Sequence, residues 1–155
     1  MVKPSGVVVL LWLATLLLSS PGHVAADETL PIDALRTAVN AGDIDAASAL
    51  FTDDAVVIQP RIGGLPQLYG GQQQLRWWLA GLAQQHISFG ESPPAALVDG
   101  HYRWPSQMGV DALRQLGLDT VDVDSDITLA ADGRITALII VYTPGAARRL
   151  LATGE

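Results

Sequence analysis

Residues 40–60, NAGDIDAASALFTDDAVVIQP, constrain the fold of this chain more than any other stretch. Asp43 is a favoured N-cap residue and predicts a helix that runs through Phe51. An acidic turn is expected at residues 52–54, and a short strand, AVVIQ, at residues 55–59, because β-branched apolar residues favour strands. The helix and the strand each present an apolar face, and the rest of the chain must cover these two faces.

Two further helices flank this stretch. The first is predicted over residues 31–39, where Pro31 suits the first helical position and Gly42 suits a left-handed C-cap. Residues 61–71 carry several glycines and are expected to form a loop. A longer helix follows at residues 72–85. Its apolar residues recur at the spacing of one buried face: Leu75, Trp78, Leu79 and Leu82.

The second half of the chain predicts an antiparallel sheet. Residues 120–129 alternate between apolar and polar side chains, and this period of two is typical of a strand with one buried face. The buried side is expected to carry Val121, Val123, Ser125, Ile127 and Leu129, and the solvated side Asp122, Asp124, Asp126 and Thr128. Residues 135–142, ITALIIVY, are apolar on both sides and predict a central strand.

Shorter elements fill the remainder of the chain. Strands are predicted at residues 86–90, 95–98 and 101–104, a hairpin turn at Asp99 and Gly100, a short helix within residues 105–117, and a terminal helix at residues 145–152. Helices gathered at the start and antiparallel strands after them define an α+β domain. In such a domain the helices pack on one side of a curved antiparallel sheet.

Residues 1–26 have the order of a secretory signal peptide. Lys3 gives a weakly positive start, residues 6–18 are apolar apart from Thr15, and Val24-Ala25-Ala26 supplies small residues at the end. The apolar run is shorter than the ~18–20 residues of a membrane-spanning helix, so an anchor is the less favoured alternative. We therefore expect an exported protein, periplasmic or secreted, with a single domain over residues 27–155 and no stable membrane anchor after cleavage.

Composition excludes several partners and sites. The formal charge is −7, and loss of Lys3 would make it −8, so the phosphates of nucleic acids are repelled and no nucleic-acid partner is expected. The absence of cysteine excludes disulfides and thiolate metal sites. Carboxylates spaced along one strand face, such as Asp122, Asp124 and Asp126, cannot wrap a Ca²⁺ ion. The sequence therefore predicts no metal and no cofactor.

Three segments resemble the nuclear transport factor 2-like superfamily, which includes ketosteroid isomerase, SnoaL-like polyketide cyclases, scytalone dehydratase and limonene epoxide hydrolase. They are AVNAGDIDAASALFTDDAVVIQP at residues 38–60, GGQQQLRWWLAGL at residues 70–82, and LAADGRITALIIVYTP at residues 129–144. The resemblance implies a SnoaL-like domain of cystatin-like, cone-shaped α+β architecture. A strongly bent sheet would wrap around the helices and leave a pocket at the wide end.

The resemblance also implies where catalytic residues would stand. Ketosteroid isomerase needs a general-base Asp near the end of the first strand, where this chain has Gln59. Its oxyanion Tyr corresponds to Leu35, and its second carboxyl falls near Ser125, so steroid isomerisation is excluded. Scytalone dehydratase relies on paired histidines. Here His86 is the one candidate catalytic residue, while His101 lies beside a turn and is expected to be exposed.

Five residues are candidates for binding a ligand in the cone. Gln59 and Ser125 would be polar groups in a mostly apolar cavity, where each needs a hydrogen-bond partner or a ligand. Trp78, Tyr102 and Trp104 could line a site for a flat apolar molecule, although core packing is the default role for such rings.

Three functions remain open on the sequence. The favoured one is an exported SnoaL-like domain that binds a small hydrophobic molecule without a catalytic set. The second is a SnoaL-like cyclase, isomerase or dehydratase that acts on a hydrophobic carbonyl compound. The third is a structural module that forms a homodimer through the outer face of the sheet. An enzyme predicts titratable groups that converge in the cone, and a dimer predicts a large apolar patch on the outside.

Overall fold

Five helices and seven strands make up residues 30–153, which the computed structural model describes. The helices are α1 (Pro31–Ala41), α2 (Ile44–Ala49), α3 (Gly71–Gln84), α4 (Asp111–Gln115) and α5 (Pro144–Ala152). The strands are β1 (Phe51–Arg61), β2 (Gly64–Gly70), β3 (Ser88–Phe89), β4 (Ala96–Val98), β5 (His101–Gly109), β6 (Val121–Leu129) and β7 (Ile135–Tyr142). The predicted signal peptide, residues 1–26, lies outside the described residues. None of the described helices has the length and apolarity needed to cross a membrane.

The strands form one strongly curled sheet in the order β2-β1-β7-β6-β5-β3, with β4 also paired to β5. The pairs are antiparallel except β1 with β7, which is parallel. Both β5 and β7 are antiparallel to β6, and β1 is parallel to β7. The strands β1, β5 and β7 therefore run in one direction, and their C-terminal ends lie at the same end of the sheet. The predicted α+β class and the central position of β7 are confirmed.

The core fills the space between the first three helices and the concave face of the sheet. The inward residues of β6 alternate as predicted: Val121, Val123, Ser125 and Ile127 are buried, and Leu129 is partly buried. The predicted face of α3, which carries Leu75, Trp78, Leu79 and Leu82, is also buried. Burial of these apolar side chains is the main favourable term in folding.

Two predicted helix ends are confirmed by their geometry. Gly42 ends α1 with φ of 69°, a left-handed conformation that glycine adopts without steric cost. The side chain of Asp43 accepts a hydrogen bond from the amide of Ala46 and so caps α2. The hairpin turn is confirmed as well, since Asp99 and Gly100 both have positive φ between β4 and β5.

The prediction that α2 runs through Phe51 is wrong, as is the prediction of a turn at residues 52–54. The helix ends at Ala49, and β1 already begins at Phe51. The reason is a partner far along the chain: Phe51 pairs with Ile135, and the Ile135 amide donates to the carbonyl of Leu50 over 2.8 Å. Pairing with β7 therefore draws this segment into the sheet.

The prediction of a loop at residues 61–71 is also wrong, because these residues contain the edge strand β2. A tight turn at Ile62 and Gly63 reverses the chain, and the φ of 67° at Gly63 permits it. Beyond the turn, Leu68 pairs with Ile58 and Gln67 pairs with Gln59. Proline and glycine are tolerated in β2 because an edge strand needs fewer hydrogen bonds.

The strand predicted at residues 101–104 continues to Gly109, and the helix predicted within residues 105–117 shrinks to α4. Pro105 does not interrupt β5 because it lies between the part that pairs with β4 and the part that pairs with β3. On the other side of β5, Pro105 stays in register with Asp124 of β6. The predicted strand at residues 86–90 is likewise reduced to β3, which Asn40 holds through two side-chain hydrogen bonds of 2.8 Å to the backbone of Phe89.

Candidate functional site

A cleft of about 280 Å³ opens at the end of the sheet where the strands β1, β5 and β7 terminate. We call it the mouth cleft. Its apolar walls come from Pro60, Ile62, Leu82, Ile87, Met108, Val110 and Ala112, and its polar lining comes from Gln59, Arg61, Gln67, Gln85 and Tyr142. A few polar groups on apolar walls are typical of small-molecule sites. Neither a carboxylate nor a histidine is among these lining residues.

Gln59 is held by the indole of Trp78. The Trp78 Nε1–H donates to Gln59 Oε1, and the Trp78 side chain is only 3% exposed. An indole N–H can only donate, so the amide oxygen of Gln59 must face it. The Gln59 Nε2 group, which has no partner among residues 30–153, is thereby left as a donor at the mouth cleft.

Gln67 repeats this arrangement on the neighbouring strand. Tyr69 OH donates to Gln67 Oε1 over 2.9 Å, and Gln67 pairs directly with Gln59 across β1 and β2. The rings of Tyr69 and Trp78 lie 6.4 Å apart. Two adjacent amides therefore have their oxygens engaged by aromatic donors, and their NH₂ groups remain for an acceptor in the cleft.

Tyr142 and Arg61 complete the polar lining. Burial raises the pKa of the Tyr142 phenol, so this group stays neutral at physiological pH and can donate a hydrogen bond. Arg61 lies at the end of β1 and has no carboxylate within 4.0 Å among the described residues. Gln59, Gln67, Tyr142 and Arg61 can each donate a hydrogen bond into the cleft, so the cleft is suited to a ligand that carries an acceptor.

The other predicted ligand-binding residues lie away from the mouth cleft. Trp104 is buried, packs on Phe89 at 5.3 Å between ring centroids, and donates to Ser92 Oγ over 2.6 Å. Tyr102 is partly buried on β5, and Ser125 is fully buried opposite Trp104 on β6. Of the five predicted residues, the structure brings together Gln59 and Trp78. A ligand role for any of the five remains a prediction.

Ser125 supplies a testable consequence of burial. Its side chain is 0% exposed, and its Oγ has no hydrogen-bond partner in the described part of the chain. A buried unsatisfied hydroxyl costs about 1–3 kcal/mol, so Ser125→Ala is expected to raise the free energy of unfolding by about 1 kcal/mol in urea titration. The matched control is Ser48→Ala, because buried Ser48 accepts a bond from Arg76 and should lose stability. A loss of stability in Ser125→Ala would contradict this account.

His86 does meet a carboxylate, but on the outside of the cleft wall. Its Nδ1 lies 2.7 Å from Asp111 Oδ2, and its side chain is 78% exposed. This hydrogen bond, with help from Arg114 at 2.5 Å on the other oxygen, holds the pKa of Asp111 below its usual range. The neighbours of His86 and Asp111 along the chain line the mouth cleft, so the pair stands just behind its wall.

The acidic side of β6 faces outward, as predicted. Asp122 lies 3.4 Å from Gln107, and Asp126 lies 3.4 Å from Arg103 and 3.6 Å from His101. His101, expected to be exposed, is partly buried. No cluster suited to a metal ion occurs within residues 30–153. These carboxylates take no part in the cleft.

The solved structures that this fold resembles include those of cyclase-like proteins and of proteins without a known function. The epoxide hydrolase/cyclase-like enzyme SalBIII, which has a role in pyran ring formation in the polyether salinomycin, is matched with a TM-score of 0.61 and 15% identity over 75% of this chain and 90% of that protein. An NTF2-like protein of unknown function from Cytophaga hutchinsonii is matched with a TM-score of 0.57 and 12% identity over 78% and 91%. A proposed polyketide cyclase from Sinorhizobium meliloti is matched with a TM-score of 0.56 and 23% identity over 72% and 93%.

No protein-family model and no curated protein matches the sequence. At these identities the structural likeness establishes the fold alone. The chain has the NTF2-like, SnoaL-like fold, a cone-shaped α+β architecture, and the resemblance drawn from the three sequence segments is confirmed at that level.

Proposed function

We propose that this chain, whose fold is NTF2-like, binds a small hydrophobic molecule with a carbonyl acceptor in the mouth cleft. The observation that carries the proposal is the Gln59 amide, whose oxygen is bonded to Trp78 and whose NH₂ group lines the cleft. A donor held in place by a buried ring loses little conformational freedom when a ligand binds. The apolar walls supply affinity and the donors supply orientation.

The test of this proposal is a thermal-shift titration with hydrophobic ketones and esters. Saturating ligand is expected to raise Tm, because a ligand that binds only the folded state stabilises it. Gln59→Leu should remove most of this shift, since the carbonyl would lose its donor, whereas the control Gln107→Leu should keep it, because Gln107 lies on the outer face beside Asp122. A library that never shifts Tm, or equal shifts in both variants, would count against the proposal.

An enzyme that acts on the same class of compound is the second candidate. The similarity to a cyclase-like enzyme supports it, as does the 2.7 Å contact between His86 and Asp111 behind the cleft wall. A histidine whose Nδ1 faces a carboxylate can act as a base through Nε2. If turnover of a hydrophobic carbonyl compound is found, His86→Ala should abolish it. Unchanged turnover would remove His86 from the mechanism.

Export and self-association belong to the same proposal. Residues 1–26 support secretion into the periplasm or the medium, which fractionation and N-terminal sequencing would test. The outer face of the sheet supports a homodimer, because it carries an apolar patch in which Leu68, Ile139 and Val141 are exposed and Val56 and Ile58 are partly buried. A monomer by sedimentation at micromolar concentration would exclude that dimer.

A further inference from the structure

A second cleft, of about 720 Å³, runs between the β1–β2 turn, the end of α4 and helix α5; we call it the α5 groove. Ile62, Leu116, Ala147, Leu150 and Leu151 supply most of its apolar lining. Leu151 is 75% exposed and Leu150 is partly buried, so both present apolar surface to solvent. The groove is thus an open apolar surface within the size range of ~300–1,000 Å³ of small-molecule sites.

The α5 groove adjoins the mouth cleft. Arg61, Ile62 and Tyr142 line both cavities, so the two meet at these three side chains. The donors Gln59 and Gln67 lie on one side of this junction, and the apolar side chains of α5 lie on the other. A single ligand that occupied both cavities would have a polar end and a long apolar end.

Charge at the junction has the opposite sign to that of the protein. Five arginines have an Asp partner within 4.0 Å: Arg36, Arg76, Arg103, Arg114 and Arg134. The arginines of residues 30–153 without such a partner are Arg61, Arg148 and Arg149. Arg61 lines both cavities, whereas Arg148 and Arg149 lie on α5 outside the groove lining, and Arg149 donates to the carbonyl of Thr120. In a chain of net charge −7, this local positive field favours an anionic group.

We propose that the ligand is a long-chain carboxylate. Its head group would be bound at the junction by the Arg61 guanidinium and the amide donors of Gln59 and Gln67, and its alkyl chain would lie along the α5 groove. This inference rests on the proposed function and deepens it, since a carboxylate offers the same acceptor as a ketone together with a charge. A guanidinium binds a carboxylate more strongly than it binds a neutral oxygen.

Calorimetric titration of the purified protein with hexanoate, octanoate, dodecanoate and dodecanol tests this assignment, with each carboxylate below its micelle concentration and dodecanol below its solubility limit. Each added CH₂ group is expected to tighten Kd about fourfold until the groove is filled, because a buried CH₂ contributes a roughly constant transfer free energy. Arg61→Gln should weaken dodecanoate binding about fivefold and dodecanol binding less than twofold. Leu150→Gln should weaken both by about tenfold. The control Arg103→Gln, at an ion pair on the outer face, should change neither.

Other results overturn the assignment in distinguishable ways. If short ketones bind and depend on Gln59, but chain length and Arg61 have no effect, the long-chain carboxylate is wrong while the proposed function stands. If no compound of either series binds, both fail. Equal affinity for dodecanoate and dodecanol would show that the site does not recognise an anionic head group, and this would overturn the assignment of a carboxylate. Binding to anionic vesicles without 1:1 binding of dodecanoate would make the groove a membrane contact and overturn the proposal.

Discussion

Replacing Trp78 with alanine is expected to lower the free energy of unfolding by about 3–5 kcal/mol, the usual cost of removing a buried aromatic side chain. Trp78 is 3% exposed, and its ring meets Phe51 edge-on at 6.2 Å and 83°. The substitution would leave a cavity between α3 and β1 that the surrounding side chains fill only in part. Urea titration gives the change directly.

The adjacent tryptophan is the matched control. Trp77 is 63% exposed on the same helix, so Trp77→Ala should change stability by no more than about 0.5 kcal/mol. Trp78→Phe separates the two roles of the indole, since it keeps most of the packing but removes the N–H that holds Gln59. It should lose ligand affinity while costing much less stability than Trp78→Ala. Equal losses at Trp77 and Trp78 would contradict the placement of α3.

Replacing Leu113 with alanine is expected to cost about 2–5 kcal/mol, because Leu113 is 0% exposed and anchors the short helix α4. A helix of five residues has no independent stability and depends on tertiary packing. The N-cap residue of α4, Val110, and Ala112 in its first turn form part of the mouth-cleft wall. The substitution should therefore weaken ligand binding as well as stability.

Leu116 at the end of α4 is the control for this second prediction. It is partly buried and lines the α5 groove, so Leu116→Ala should cost clearly less stability than Leu113→Ala. Denaturant midpoints of the two variants, measured with unchanged m-values, make the comparison. A larger loss of stability in Leu116→Ala than in Leu113→Ala would contradict this prediction, because α4 would then be anchored through Leu116.

Local signals in the sequence were enough for much of the fold. The cap at Asp43, the left-handed Gly42 and the alternation of β6 each depend on residues within one turn or one strand, and all three are confirmed. The errors occur where a partner far along the chain decides. Phe51 belongs to a strand because Ile135 pairs with it, and residues 64–70 form a strand because β1 offers an open edge.

The candidate site could be predicted only in outline. The sequence indicates Gln59 and Trp78 separately, but their hydrogen bond joins residues from β1 and α3 and requires the folded arrangement. The sequence does not single out Arg61 and Gln67, because the glycine-rich segment that holds them predicts a loop. The adjacency of Gln59 and Gln67 follows from strand register, which a glycine-rich sequence specifies weakly.

The most direct test of the account is the side-chain amide NMR spectrum of the ¹⁵N-labelled protein during titration with a hydrophobic carbonyl compound. The NH₂ signals of Gln59 and Gln67 are expected to shift in a saturable way, while that of the outer-face residue Gln107 stays fixed. Saturable binding that leaves the Gln59 and Gln67 signals in place would contradict the claim that these amides recognise the ligand.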